Sequence, residues 1–87
     1  MNEAEIAEQL LELLEAEGVI VRKEHLGGGG GGLCTIKGQK YFFADMQSSA
    51  GETAALCAEA VLKVVDIDSK YLRPQVRQFI EDMGHRV

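Results

Sequence analysis

Three residues around a glycine-rich stretch are of the types that work together in nucleophilic catalysis. His25 precedes the glycines, Cys34 follows them, and Asp45 comes later in the chain. A thiol activated by an imidazole base, with a carboxylate that orients the base, can attack a carbonyl group. However, the sequence predicts neither a helix N-terminus at Cys34 to activate the thiol nor an oxyanion hole. We therefore expect a non-enzymatic protein in which Cys34 is a small, buried apolar side chain.

Six consecutive glycines separate two segments that have the pattern of strands. They are Gly27, Gly28, Gly29, Gly30, Gly31 and Gly32. Backbone amides in a loop without side chains can wrap an anion, and the cations Lys37 and Arg77 would then meet its phosphate. The stretch lacks the context of the common phosphate loops, because no helix follows it and Leu33-Cys34 replace Lys-Ser/Thr. Three interpretations remain open: a site for a small anion or nucleotide, a flexible connection, and a loop ordered by a protein partner.

Metal binding would draw on two histidines and two cysteines, namely His25, Cys34, Cys57 and His85. None of them stands at the short CxxC or HxxxH spacing that is typical of zinc sites. The sequence therefore predicts no metal and no cofactor.

The predicted order of a helix, three strands and a helix is similar to that of the PD-(D/E)xK nuclease core. In that family a strand-end Asp and a following acid-x-Lys hold magnesium, and Asp45 stands at a predicted strand end. The residues Asp45-Met46-Gln47 offer no lysine, and no acid-x-Lys follows on a paired strand. The resemblance therefore implies a hydrolase or nuclease-like domain only as a second alternative, because topology does not confer function.

The chain is short, and its negative charge is concentrated in one segment. Its 87 residues suit a single domain, residues 1–87, with a flexible loop at 27–32. The net charge is −5, and the first seventeen residues hold six glutamates and no lysine or arginine. This distribution argues against nucleic acid and anionic membranes as partners. No segment has the roughly 18–20 apolar residues of a membrane span, and we expect a cytoplasmic protein with free thiols.

The helices are predicted from their start and stop signals. Asn2 and Glu5 stand at capping-box spacing before a first apolar helical pattern, which Gly18 ends. Ser49 and Glu52 repeat this spacing before a helix over about 50–65. Pro74 favours the first position of a third helix, which ends at Gly84.

The strands are predicted over 19–26, 33–36 and 41–46, with Gly38-Gln39 at the centre of a type II′ hairpin turn. The element order is α-β-β-β-α-α. We therefore predict an α+β domain in which helices pack on one face of a small three-stranded antiparallel meander.

The third strand carries three aromatic residues in succession, Tyr41, Phe42 and Phe43. Successive side chains of a strand point to opposite faces, so one face meets the helices, and the other is either an interface or buried under the glycine loop or the C-terminal helix. We expect these residues to mark an interface. A small domain with an exposed sheet gains core by pairing with a copy of itself, so a homodimer is the expected assembly, with an unidentified protein partner as the alternative.

Overall fold

The computed structural model describes residues 1–27 and 31–84, and these form an α+β fold of three helices and one three-stranded sheet. The elements follow in the order α1 (Glu3–Ala16), β1 (Ile20–Glu24), β2 (Gly32–Ile36), β3 (Gln39–Asp45), α2 (Ala50–Val64) and α3 (Pro74–Gly84). A short 3₁₀ turn (Ile67–Ser69) lies between α2 and α3. The predicted α+β class is confirmed, and the element order differs from the predicted α-β-β-β-α-α by the added 3₁₀ turn.

Local sequence signals set the ends of the helices. The Asn2 side chain accepts a hydrogen bond of 2.9 Å from the Glu5 amide, and the Glu5 carboxylate accepts one of 3.2 Å from the Asn2 amide. Ser49 and Glu52 make the same reciprocal pair at 3.1 and 3.0 Å. Both predicted capping boxes are therefore formed, and each satisfies two amides that a helix start leaves without a partner.

The sheet differs from the predicted antiparallel meander. It is mixed, with strand order β1-β3-β2, and β1 runs parallel to β3 while β2 runs antiparallel to it. The strand with buried residues, β3, takes the centre, and the charged strand β1 takes an edge, where Arg22, Lys23 and Glu24 reach solvent. The connection from β1 to β2 must therefore span two strand spacings, about 10 Å, across the end of β3. A tight hairpin cannot make that step.

The turn between β2 and β3 also differs from the prediction. Its two central residues are Lys37 and Gly38, with φ of 52° and 81°. Positive φ at both positions defines a type I′ turn, which matches the twist of paired strands. Gln39, expected inside the turn, is instead the first residue of β3, and its side chain donates a hydrogen bond of 2.9 Å to the Gly18 carbonyl.

The core lies between the helices and one face of the sheet. Phe42 and Ala44 of β3 point into it, and Phe42 has no exposed surface. From the helices come mainly aliphatic and small side chains, the fully buried ones being Leu10, Leu14, Ala54, Cys57, Ala58, Val61 and Ile80. The small residues of α2 let α1 approach closely, and these two helices make the most extensive helix contact in the fold. Among the described residues, no helix has the length and apolar character needed to cross a membrane.

Candidate functional site

The face of the sheet opposite the core is the candidate functional site, and we call it the open face. It consists of the residues that alternate with the core positions, and the cross-strand registers place them side by side. The exposed and half-buried ones are Ile20, Arg22 and Glu24 on β1, Gln39, Tyr41 and Phe43 on β3, and Gly32, Cys34 and Ile36 on β2. The helices pack on the other face, so among the described residues this one is left to solvent.

The centre of the open face is apolar and its β1 border is charged. The rings of Tyr41 and Phe43 stack with centroids 6.0 Å apart and an interplanar angle of 16°. Ile20 and Ile36, on the two edge strands, are 41% and 47% exposed. An Arg22–Glu24 ion pair of 3.3 Å borders the aromatic centre. An apolar centre with a polar rim is the usual anatomy of a protein–protein interface.

A shallow groove extends the open face toward the glycine loop. Its volume is 430 Å³, and its lining residues are Glu24, Leu26, Gly31, Gly32, Leu33, Cys34 and Phe43. Apolar side chains and glycine backbone make up most of this wall. The groove is therefore suited to an apolar group of a partner.

Gly31, at the C-terminal side of the glycine loop, approaches β3 at very close range. A Cβ atom at Gly31 would overlap the Phe43 carbonyl oxygen and lie 2.7 Å from the carbonyl carbon. Gly27 and Gly32 have φ of 72° and 138°, in the region that L-amino acids avoid. At three of the six positions the backbone geometry therefore favours glycine over a residue with a side chain. These positions connect β1 and β2, which lie on opposite sides of β3. The other three, Gly28, Gly29 and Gly30, lie outside the described residues.

Asp45 holds the start of this loop in place. Asp45 is 4% exposed, and its side chain accepts hydrogen bonds from the backbone amides of Leu26, at 3.1 Å, and Gln47, at 3.0 Å. Because β1 and β3 are parallel, their carboxyl ends meet at this edge, where the Met46 amide also donates to the Glu24 carbonyl at 2.9 Å. The carboxylate therefore ties the loop to the turn that follows β3.

The structure does not bring the three candidate catalytic residues together. Cys34 pairs with Tyr41, and Asp45 is the last residue of the same strand, so about 13 Å of β3 separates the two positions. Asp45 lies near the exposed His25, but its carboxylate is used by backbone amides. Cys34 is half-buried on the open face rather than in the core. The buried thiol is Cys57, and burial, with a smaller contribution from the charge of Glu8, raises its pKa to about 12.

The candidate anion site is also divided. Lys37 lies in the turn at the far end of β2 from Gly32, so the strand separates it from the glycine loop. Arg77 donates a hydrogen bond of 2.8 Å to the Ile67 carbonyl and lies 3.5 Å from Asp68, which ties it to the connection before α3. Within the described residues, neither cation is beside the loop.

The N-terminus of α2 already has an acid against it. A Cβ at Gly51 would meet the Glu3 carboxylate at 2.9 Å, so that carboxylate packs directly on the first turn of α2. The Glu52 carboxylate, in the same turn, accepts a hydrogen bond from the Ser49 amide, and this hydrogen bond lowers the pKa of the Glu52 carboxyl. Two carboxylates therefore occupy the place where an external anion would bind.

No group of three or more potential metal ligands occurs in the described parts of the chain, 1–27 and 31–84. His85, one of the residues considered from the sequence, lies outside them. The open-face positions of Ile20 and Ile36 were not identified from the sequence, although strand alternation would have placed both with Tyr41 once the register was known.

Phe42 is separated from the other two aromatic residues predicted at an interface. It fills the core, whereas Tyr41 and Phe43 are half-buried on the open face. Of the three aromatic residues, only Tyr41 and Phe43 therefore remain available for a contact surface on the sheet.

Comparison with protein-family models, with curated protein sequences and with solved structures found no match to this chain.

Proposed function

We propose that this chain is a cytoplasmic, non-enzymatic interaction module whose contact surface is the open face of its sheet, and that this face binds a second copy of the chain. The observation that carries the proposal is the aromatic and aliphatic surface around Tyr41 and Phe43, which no described element covers. Contiguous apolar surface of this kind marks interaction sites on small proteins. Its members lie on all three strands, so the whole sheet takes part.

The distribution of charge favours a second copy as the occupant. The six glutamates of the N-terminal segment lie on or next to α1, which packs on the other side of the sheet. The open face itself carries Arg22 and Glu24, one charge of each sign. In a two-fold arrangement, Arg22 of each copy can therefore meet Glu24 of the other without repulsion between like charges.

The size of the face sets the strength of the contact. Three strands spaced about 4.8 Å apart, with five to seven residues each, give a footprint of roughly 300 Å². Stable complexes bury about 800 Å² of accessible surface per partner. We therefore expect reversible association that depends on protein concentration, rather than an obligate dimer.

The geometry supports this function better than it supports the two alternatives. Cys34 and Asp45 stand about 13 Å apart along β3, which separates the nucleophile from its acid. The cations proposed to assist the glycine loop lie away from it, and Glu3 covers the start of α2. The free thiols Cys34 and Cys57 are consistent with a reducing compartment.

The test is light scattering coupled to size-exclusion chromatography on the protein and on Ile20→Glu. Ile20 is 41% exposed on the open face, so a glutamate there is tolerated by the fold but brings a charge into the proposed contact. We expect the protein to elute above the 9.5 kDa of one chain and the variant to elute at a lower mass than the unchanged protein.

Leu62→Glu is the matched control. Leu62 is 43% exposed and lies in the helical layer, beside Gly84 of α3. The control should associate like the unchanged protein. A mass of one chain for the unchanged protein at every concentration would refute the proposal, and so would equal loss of association in both variants.

A further inference from the structure

The two edges of the sheet are protected to different degrees. On β1 the sequence Arg22-Lys23-Glu24 places charges along the edge. β2 carries Gly32, Leu33, Cys34, Thr35 and Ile36, with no charge and no proline. Charged residues and prolines are the usual devices that prevent an edge strand from pairing with another chain. The edge of β2 lacks both.

The register shows which groups of β2 face outward. The two-residue turn at Lys37-Gly38 closes on the pair Ile36 and Gln39, which are hydrogen-bonded to each other in a hairpin of this type. Bonded and non-bonded pairs alternate along an antiparallel ladder. The amides and carbonyls of Leu33 and Thr35 therefore point away from β3, toward the free edge.

These outward groups define a self-complementary pairing. If β2 meets β2 of a second copy in antiparallel fashion about a two-fold axis at Cys34, Leu33 of each copy stands opposite Thr35 of the partner subunit. Each such pair exchanges two hydrogen bonds, so all four outward groups on each strand find partners. No like charges meet, because the strand has none.

We propose that β2 forms this antiparallel pair with β2 of a second copy, so that two three-stranded sheets join into one of six strands. The inference rests on the proposed function in that it names a second contact for the same self-association. The edge and the open face are different surfaces, and each can form its own two-fold contact. Used together, they assemble four chains as two six-stranded sheets packed face to face.

Cys34 reports on this pairing directly. At the centre of the pair it stands opposite Cys34 of the partner subunit at a non-hydrogen-bonded position, where Cα atoms are about 4.5 Å apart. A disulfide requires about 4.4–6.8 Å, whereas sheets packed face to face lie about 10 Å apart. Rapid disulfide formation therefore distinguishes edge pairing from contact through the open face.

The first experiment treats the protein with oxidised glutathione and follows covalent dimers by non-reducing electrophoresis. The two Cys34 thiols are oxidised to one disulfide, and one glutathione disulfide is reduced to two glutathione thiols. We expect a dimer linked through Cys34, absent in Cys34→Ser. Cys57 serves as an internal control, because it is fully buried in the monomer. A mixed disulfide with glutathione at Cys34, without a covalent dimer, would overturn the edge pairing.

The second experiment removes one outward amide with Thr35→Pro. Proline is tolerated on an edge strand where its nitrogen faces away from the sheet. Thr35→Ala is the matched control, since it removes the side chain and keeps the amide. We expect Thr35→Pro to lose the covalent dimer and to halve the solution mass from four chains to two, with Thr35→Ala unchanged. Circular dichroism shows whether the proline variant is folded. If it is not, the oxidation assay on the unchanged protein still tests the edge pairing.

The outcomes separate this inference from the proposed function. Loss of association in Ile20→Glu but not in a folded Thr35→Pro would leave the open-face contact and overturn the edge pairing. Loss in Thr35→Pro but not in Ile20→Glu would support the edge pairing and overturn the open-face contact. A single chain at every concentration, with no disulfide-linked dimer, would overturn both.

Discussion

Replacing Gly31 with alanine tests the account of the glycine loop. An added Cβ would overlap the Phe43 carbonyl oxygen and lie 2.7 Å from its carbon, and both are backbone atoms of the central strand. The loop or β3 would have to shift, and such overpacking costs about 1–3 kcal/mol. Alanine has fewer backbone conformations than glycine in the unfolded chain, which returns about 0.4–1 kcal/mol. We expect a net loss of about 1–2 kcal/mol of unfolding free energy.

The assay is urea denaturation followed by circular dichroism, at a protein concentration low enough to keep the chain monomeric. For a domain of this size the expected loss corresponds to a decrease of roughly 4–16 °C in Tm. Gly51→Ala is the control, because it makes the same substitution inside α2, where the added Cβ meets only the flexible end of Glu3. That change should raise stability by up to about 1 kcal/mol. A Gly31→Ala protein as stable as the parent would refute the close approach of Gly31 to the Phe43 carbonyl.

The β2–β3 turn, the Asp45 anchor, the two thiols and Glu52 each give a measurable expectation. Lys37→Asn should stabilise the protein by about 0.5–1 kcal/mol in urea denaturation, because asparagine tolerates the positive φ of 52° at this turn position; Lys37→Ala, which loses the same charge without that tolerance, should not. Asp45→Ala should cost about 1–3 kcal/mol by the same assay, because two backbone amides lose their acceptor, and an unchanged midpoint would contradict its role as the loop anchor. In the folded monomer a thiol reagent at neutral pH should modify Cys34 and spare Cys57, whose pKa is raised to about 12, and equal modification rates would contradict the burial of Cys57. The stability that depends on Glu52 should be present above the ordinary pKa of 4.5 and be lost as pH falls through the lower value of the folded protein; Tm measured against pH should show this loss in the parent and not in Glu52→Gln.

The helices could be predicted from the sequence because their signals are local. A capping box joins residues three apart, so Asn2 with Glu5 and Ser49 with Glu52 are visible before any tertiary contact is known. Pro74 marks the start of α3 for the same reason.

The sheet could not be predicted with the same success, because its pairing is decided by residues distant in the chain. Neighbouring strands usually pair, and that preference favoured a meander. In the structure, the apolar Tyr41–Ala44 stretch takes the central position and separates β1 from β2. Gly31 suits this arrangement, since its backbone approaches the Phe43 carbonyl where no side chain fits.

The candidate site could likewise be predicted only where it depends on neighbouring residues of one strand, and not where it depends on contacts between strands. Alternation along β3 correctly separates Phe42 from Tyr41 and Phe43, but it does not reveal which side the helices cover. The registers supply that answer and add Ile20 and Ile36 to the same face. Residue type made His25, Cys34 and Asp45 candidate catalytic partners, and the register of β2 on β3 keeps Cys34 and Asp45 apart.

The measurement that tests the central claim most directly is a dilution series of two-dimensional amide NMR spectra of the unchanged protein, from about 1 mM to about 10 μM. The account predicts concentration-dependent shifts on the sheet, at residues such as Ile20, Tyr41 and Phe43, with none around the exposed Leu62 of α2. Spectra that do not change with concentration while the mass remains that of one chain, or shifts confined to the helices, would contradict it.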